Sequence, residues 1–118
     1  MSKLEGIPFQ NSETCKGVAY STEGAPIDFA EITITGTYPE EGWAVNRDAH
    51  EMVRVHRGAG SLALKETGEI QLLQGDVVHV PPQTAFAWNV RDDEMILHMS
   101  CSPPFSPEQY EIIEEENI

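Results

Sequence analysis

The chain has 118 residues, 40% of them hydrophobic and 23% charged, and its formal net charge is −13. A chain of this length forms one domain around a single core, so we predict one domain over residues 1–118. The negative charge repels a phosphate backbone and an anionic membrane surface, so we expect neither nucleic acid nor a membrane as a partner.

The predicted elements are short strands. Residues 16–21 form the first, and residues 28–38 alternate apolar with polar side chains, which is the pattern of a half-buried strand. Further strands are predicted at 43–47, 50–57, 60–66, 69–73, 76–80, 84–90 and 94–101, between glycines and the Pro81–Pro82 pair. Short strands at this spacing are typical of an all-β sandwich or barrel.

The two ends of the chain differ from this core of residues 28–101. Residues 1–15 show no clear period, and we interpret them as an edge strand or an N-terminal arm. Ser106, Pro107 and Gln109 occupy the spacing of an N-cap, a first helical position and a capping box. They predict a short C-terminal helix over about residues 106–116.

The expected location is the cytoplasm. No apolar run reaches the ~18 residues that span a bilayer, and the N-terminal residues MSKLEGIPFQ lack the apolar region of a signal peptide. Cys15 and Cys101 are far apart and fit no CxxC pattern, so we expect two free thiols in a reducing compartment.

Two spaced motifs resemble those of the cupin superfamily, in its small single-domain form. Glu51 and Gly58 match the end of the first cupin motif, a Glu followed by six residues and a Gly. Gly75 and Pro81 match the start of the second motif, a Gly followed by five residues and a Pro. The resemblance covers about residues 28–101. It implies a jelly-roll barrel, also called a double-stranded β-helix.

The resemblance also implies a metal site with three His and one Glu, of which only Glu51 is present. The other ligand positions fall on Val45 and Arg47, or on Ala44 and Asn46 if the spacer is one residue longer, and on Phe86. A transition metal needs three or four donors, and one carboxylate does not hold it. We therefore predict that the family's metal site is lost and that no cofactor is bound.

Four residues are candidates for an interior binding site. Arg47 and Glu51 are four residues apart and share a face if the strand is continuous. They would then form an interior pair that binds a sugar or a carboxylate. The alternatives are a structural salt bridge and an arginine that points to solvent. Phe86 and Trp88 share a face as well, and they either line a pocket or simply fill the core.

The histidines are harder to place. His98 becomes a candidate ligand-binding residue, and with Glu51 a candidate catalytic residue, if it points inward. His50 and His56 face away from Glu51 on a regular strand, although a bulge would turn His50 inward. The side that His79 faces is open. If a divalent metal is bound after all, the residues to test are His50, Glu51 and His98.

Three functions follow, and whether the protein is an enzyme stays open. The leading hypothesis is a cupin-fold protein that binds a small polar molecule, sugar- or carboxylate-like, in its barrel without the usual metal. The second is a metal-dependent cupin enzyme, of the dioxygenase or sugar isomerase type, with displaced ligands. The third is a non-catalytic interaction protein with a filled barrel. The resemblance also implies a homodimer, in which the N-terminal arm would pair across two subunits.

Overall fold

The computed structural model describes residues 3–114, and within them the chain forms twelve strands. In chain order these are β1 (Ile7–Ser12), β2 (Cys15–Tyr20), β3 (Asp28–Ile34), β4 (Thr37–Tyr38), β5 (Trp43–Asn46), β6 (His50–Arg57), β7 (Gly60–Leu64), β8 (Gly68–Leu72), β9 (Val77–Val80), β10 (Ala85–Val90), β11 (Met95–Ser102) and β12 (Tyr110–Ile113). The prediction of an all-β fold is confirmed.

The strands make two antiparallel sheets that pack face to face. The first sheet has the order β1-β2-β3-β11-β6-β9, and the second has the order β12-β5-β10-β7-β8, with β4 also paired to β10. β1 and β2 extend the first sheet through β3 of the same chain, so the region interpreted as an arm contributes an edge strand. No helix in the described residues is long and apolar enough to cross a membrane.

Turn residues explain why the strands from β5 to β11 lie within two residues of their predicted limits. Gly58 and Gly75, the two motif glycines, have φ values of 87° and 95°. This left-handed region favours glycine because a Cβ atom crowds the backbone there. At Gly58 a Cβ would also lie 2.4 Å from the backbone oxygen of Glu94. The sequence therefore fixes where these strands end.

The predicted helix over residues 106–116 is wrong in the described part of the chain. Pro107–Gln109 form one 3₁₀ turn, Tyr110–Ile113 form β12, and residues 115–116 lie outside the described region. The Ser106 hydroxyl makes no cap with the backbone and instead contacts the Glu108 carboxylate. Tyr110–Ile113 pair along β5, whose edge offers them a ladder of backbone hydrogen bonds. That tertiary pairing overrides the local helix signal.

The core lies between the sheets. Side chains that are fully buried there come from both layers: Ile34, Val53, Val55, Leu62, Met95 and Leu97. Phe86 and Trp88 on β10 are each 3% exposed and join the same cluster. Four of these core side chains also line a cavity: Ile34, Phe86, Trp88 and Leu97.

Candidate functional site

The cavity has a volume of about 300 Å³ and opens between the inner faces of the two sheets. Its walls are mainly apolar, with contributions from β1, β2, β3, β6, β10 and β11. The polar side chains that line it are Asn11, Cys15, Ser21, Asp28, Tyr38, Glu51, Cys101 and Tyr110. None of the lining residues is a lysine, an arginine or a histidine. The cavity is therefore apolar with a minority of neutral and acidic groups.

Glu51 is the buried acid of this cavity. It lies on β6 with the fully buried Val53 and Val55, because alternate side chains of a strand face the same side, and it is 5% exposed. Burial raises the pKa of its carboxyl to about 7, a hydrogen bond with Asn46 opposes the rise, and the charge of Asp28 adds to it. Its Oε1 atom has no hydrogen-bond partner among the described residues. Such orphan buried atoms are rare and call for an explanation.

Asp28 stands in the same row as Glu51. Cys101 on β11 is paired with Glu51 on one side and with Asp28 on the other, so the three side chains cross adjacent strands at one level. The Asp28 Oδ2 atom accepts a hydrogen bond from the backbone N–H of Phe105 at 2.8 Å. Burial raises the pKa of Asp28, and that of the Cys101 thiol to about 12. The row thus holds two carboxyls and a thiol that stays protonated at neutral pH.

Two tyrosine side chains, Tyr38 and Tyr110, form a second polar group of the cavity. The hydroxyls of Tyr38 and Tyr110 lie 2.6 Å apart, and burial raises the pKa of both. Burial also raises the pKa of the nearby Cys15 thiol to about 11. These groups therefore present neutral hydrogen-bonding atoms to the cavity rather than charge or a nucleophile.

Arg47 lies away from the cavity. β5 ends at Asn46 and β6 begins at His50, so the strand is interrupted and the even spacing from Glu51 does not set a common face. Arg47 Nη1 lies 3.3 Å from Glu111 Oε1, with both side chains 47% exposed, and its Nη2 donates to the backbone oxygen of Glu108. The interior Arg47–Glu51 pair is not formed; Arg47 points to the surface, where it pairs with Glu111.

Asn46 ends β5, and its side chain occupies the position beside Glu51 that was predicted for Arg47. Its Oδ1 atom accepts a hydrogen bond from the backbone N–H of Ala49 at 3.0 Å, which turns the chain between the two strands. Its side chain is 3% exposed, and its Nδ2 lies 3.9 Å from the Cys101 sulfur. The buried carboxyl of Glu51 is therefore held by a neutral amide instead of a guanidinium.

All four histidines face outward from the six-stranded sheet. His98 Nε2 lies 2.9 Å from Glu31 Oε2, and its ring stacks on His56 at a centroid distance of 4.2 Å. His50 Nδ1 lies 2.9 Å from His79 Nε2. His50 and His98 are therefore on the opposite face of the sheet from Glu51, and the structure does not bring this trio together.

The described residues do not fit the metal that the fold family implies. Among residues 3–114, no group of three or more His, Cys, Asp or Glu side chains is placed to hold an ion. Of the family's three His positions, one falls on Phe86. The other two fall on Val45 and Arg47, which supply no donor for a metal, or on Ala44 and Asn46, which supply one weak amide donor.

Phe86 and Trp88 both line the cavity. Their rings meet edge to face, with centroids 6.3 Å apart. The structure thus places Glu51, Phe86 and Trp88 at one cavity and places Arg47 and His98 elsewhere. A role in ligand binding stays a prediction for the first three.

Of the eight polar residues that line the cavity, sequence reasoning named only Glu51 as a site residue, and it assigned no part in ligand binding to Asn46, the hydrogen-bond partner of Glu51. Asp28 was within reach of the alternation argument, since it is an even number of residues from Ile32 and Ile34, which face the core. Tyr110 was hidden by the helix prediction. Asn46 and Cys101 carried no local signal, because their positions depend on the turn after β5 and on strand pairing across the sheet.

Known structures share this architecture, although no family model and no curated protein sequence matches the chain. Pac13, described as a nucleoside dehydratase, has a TM-score of 0.79 at 14% identity over 97% of this chain and 92% of its own. A Streptomyces Pac13 variant with uridine has a TM-score of 0.78 at 15% identity over 93% of this chain and 86% of its own. Ectoine synthase from P. lautus has a TM-score of 0.72 at 14% identity over 92% of this chain and 83% of its own. A cupin 2 conserved barrel domain protein from Rhodopseudomonas palustris has a TM-score of 0.63 at 16% identity over 90% of this chain and 80% of its own. Likeness at these identities establishes the cupin fold.

Proposed function

The fold of this chain is the cupin fold, and from that premise we propose that the protein binds a small, uncharged molecule in the cavity between its sheets, without the usual cupin metal. The observation that carries the proposal is the unpaired Oε1 atom of Glu51 in a mainly apolar cavity. A ligand hydroxyl or amide that donates to this atom would satisfy it, and the buried carboxyl would cost less free energy.

The charge of the cavity selects among ligands. Glu51 and Asp28 line it, and no cationic side chain does. An anion would be repelled by these acids and by the net charge of −13. A carboxylate-like ligand depended on an inward Arg47, which the salt bridge to Glu111 holds at the surface. We therefore favour the sugar-like alternative, in the wider sense of a neutral hydroxylated ring.

The volume of the cavity and its aromatic walls also support a neutral ring as the ligand. A volume of about 300 Å³ lies at the lower end of ligand pockets. Phe86 and Trp88 provide flat apolar walls for a ring. A nucleoside occurs in the uridine-bound Pac13 variant of the same fold. An open cavity of this size also argues against the hypothesis of a filled barrel.

A second candidate function is acid–base catalysis on the bound molecule. A pKa of about 7 lets the Glu51 carboxyl donate or accept a proton at neutral pH, which is the property of an efficient general acid or base. The description of Pac13 as a dehydratase fits proton transfer within this fold. The metal-dependent alternative has less support, because His50 and His98 lie across the sheet from Glu51.

Thermal shift with matched ligand pairs tests the proposal. Uridine and glucose are the neutral probes, and uridine 5′-monophosphate and glucuronate are their anionic counterparts, together with a wider set of neutral nucleosides and sugars. We expect a saturable rise in Tm with a neutral member and none with its anion. A ligand at 100 times its Kd would stabilise the fold by about 2.7 kcal/mol.

Two variants assign the binding to the cavity. Ala30→Phe places a ring in the cavity and is expected to abolish the shift, whereas Arg47→Ala is the surface control and should leave it unchanged. Tighter binding of the anionic members would contradict the proposal. So would a shift that survives Ala30→Phe in a variant whose circular dichroism remains that of the folded protein.

A further inference from the structure

Two carboxyl groups face the cavity from the strands on either side of β11. Glu51 on β6 and Asp28 on β3 are both paired with Cys101, so the two acids are two strand spacings apart. At ~4.8 Å for each spacing, their Cα atoms are separated by roughly 10 Å. Asp28 acts on the pKa of Glu51 through its charge and not through a hydrogen bond, so the two carboxyls do not share one proton.

The surroundings of the two carboxyls differ. Glu51 is 5% exposed, one of its oxygens is unpaired, and burial raises its pKa to about 7. Asp28 is only partly buried, and its Oδ2 atom accepts a hydrogen bond from the backbone N–H of Phe105 at 2.8 Å. Burial raises the pKa of Asp28 too, and this backbone donor opposes the rise because it favours the ionised form. Glu51 is therefore the group that holds a proton, and Asp28 is the group that accepts one.

This layout is that of the acids in an inverting glycosidase. In such enzymes one carboxyl protonates the departing oxygen and the other activates a water on the opposite face of the sugar, with the two ~6.5–9.5 Å apart, against ~5 Å in retaining enzymes. A Cα separation of roughly 10 Å, with both side chains lining one cavity, leaves room for a sugar ring and a water between them. Phe86 and Trp88 supply an apolar wall for the ring.

We propose that Glu51 and Asp28 are the general acid and the general base that hydrolyse the glycosidic bond of a neutral glycoside bound in the cavity. Asp28 takes a proton from water while the water oxygen bonds to the anomeric carbon. The bond from that carbon to the glycosidic oxygen breaks, and this oxygen takes the proton of Glu51. The products are a sugar of inverted anomeric configuration and an alcohol, and exchange of protons with solvent restores both carboxyls. The inference rests on the proposed function, because the glycoside must first bind in the cavity.

Assays of the full chain with 4-nitrophenyl glycosides test this activity. The panel covers both anomers of glucose, galactose, mannose and xylose, together with the methyl glycoside of any sugar that reacts. We expect release of 4-nitrophenol from at least one compound, and ¹H NMR should show that the sugar first forms with the anomeric configuration opposite to that of the substrate. Retention of configuration would overturn the proposal.

Two amide variants separate the roles of the carboxyls. Glu51→Gln and Asp28→Asn should each lower kcat/KM for the methyl glycoside by about 100-fold or more. Since 4-nitrophenolate departs with little help from an acid, Glu51→Gln should cost much less with the nitrophenyl substrate, whereas Asp28→Asn should cost as much as before. The matched control is Glu31→Gln, because Glu31 lies on β3 with Asp28 but contacts His98 outside the cavity. It should leave kcat/KM unchanged.

The pH profile of the wild-type chain tests the acid without a variant. Its kcat/KM for the methyl glycoside should fall as the pH rises through about 7, where Glu51 loses its proton, and Glu51→Gln should lack this fall. Burial raises the pKa of every other tyrosine and cysteine that lines the cavity, so these groups do not titrate there: Cys15, Tyr38, Cys101 and Tyr110. A profile with no such fall in the wild-type chain would contradict the assignment of Glu51.

Thermal shift with the same glycosides separates the two possible failures. A saturable rise in Tm without turnover would overturn this inference and leave the proposed binding function standing. No rise with any neutral glycoside, nucleoside or sugar would overturn both. Turnover that survives Asp28→Asn would also overturn the inference, and the product anomer and the pH profile of the wild-type chain decide the matter if that variant does not fold.

Discussion

The inner and outer faces of the six-stranded sheet come from the same strands and have opposite characters. Along β6, Glu51, Val53 and Val55 point into the core, while Met52 and Arg54 point to solvent. The inner face holds the Glu51 carboxyl with no cationic side chain among the residues that line the cavity. The outer face holds Arg54, which has no ion-pair partner among residues 3–114. Because strand side chains alternate, a shift of one residue in register would exchange the two faces. Along each strand of this sheet, alternate residues therefore serve different roles: one set faces the core and the cavity, and the other set faces solvent.

The largest expected contrast is between two neighbours on β11. Leu97 is fully buried, and Leu97→Ala should lower the free energy of unfolding by about 3 kcal/mol, through lost transfer free energy and a new cavity. His98→Ala removes a partly exposed contact with Glu31 and should cost less than about 1 kcal/mol. Urea denaturation measures both. Equal losses would show that the faces are not separated as described.

Glu51→Gln sharpens the comparison through pH. The folded-state pKa of Glu51 is raised from 4.5 to about 7, so the folded protein holds this proton more tightly than the unfolded chain. The stabilisation is complete below about pH 4.5 and is lost as the pH rises through 7. The shift corresponds to roughly 3 kcal/mol.

Glutamine stays neutral, so Glu51→Gln should differ little from wild type at pH 4.5 and become more stable by up to roughly 3 kcal/mol at pH 8.5. Chemical denaturation across this pH range gives the two curves. If the difference between the variant and the wild type does not change with pH, the carboxyl is not buried as the structure has it.

Tyr110→Phe tests the contact between the two tyrosine hydroxyls of the cavity. It removes the hydroxyl that lies 2.6 Å from the Tyr38 hydroxyl, and the expected loss of stability is about 1 kcal/mol. Tyr38→Phe should cost a similar amount, and the double variant should cost less than the sum of the two. Additive losses in this double-mutant cycle would mean that the hydroxyls do not interact.

Arg47→Ala is expected to have the smallest effect, less than about 1 kcal/mol, because the ion pair with Glu111 is half exposed. Its stability should approach that of the wild type as salt is raised, since salt screens such a pair. A loss of several kcal/mol, independent of salt, would place Arg47 in the interior after all.

The parts of the structure that the sequence predicts are those set by local rules. Glycine turns and alternation locate the strands from β5 to β11, and the motif spacing indicates the fold and singles out Glu51, which the structure places at the cavity. Arg47 was misplaced because the interior pair requires a continuous strand, and the side chain of Asn46 interrupts it. The hydrogen bond from the Ala49 N–H to the Asn46 side chain ends the strand, and the alternation of apolar and polar residues does not predict it.

Two other features depend on tertiary contacts. The face of His98 was undecidable because β11 carries apolar residues on both sides, and Leu97 rather than Ile96 is the fully buried one next to a bulge. The C-terminal strand forms because β5 has a free edge, which a capping signal at Ser106 does not report. Asp28 and Tyr110 reach the cavity through such pairings.

Titration of the Glu51 carboxyl is the decisive measurement, because a buried acid with no cationic side chain lining its cavity should hold its proton to neutral pH. ¹³C NMR of selectively labelled glutamate, with Glu51→Gln used to assign the signal, follows the Glu51 Cδ resonance as the pH changes. We predict a midpoint near pH 7, because the carboxyl is buried and no cationic side chain lines its cavity. A midpoint near the ordinary value of 4.5 would contradict it, since the carboxyl would then be solvated or paired with a cation.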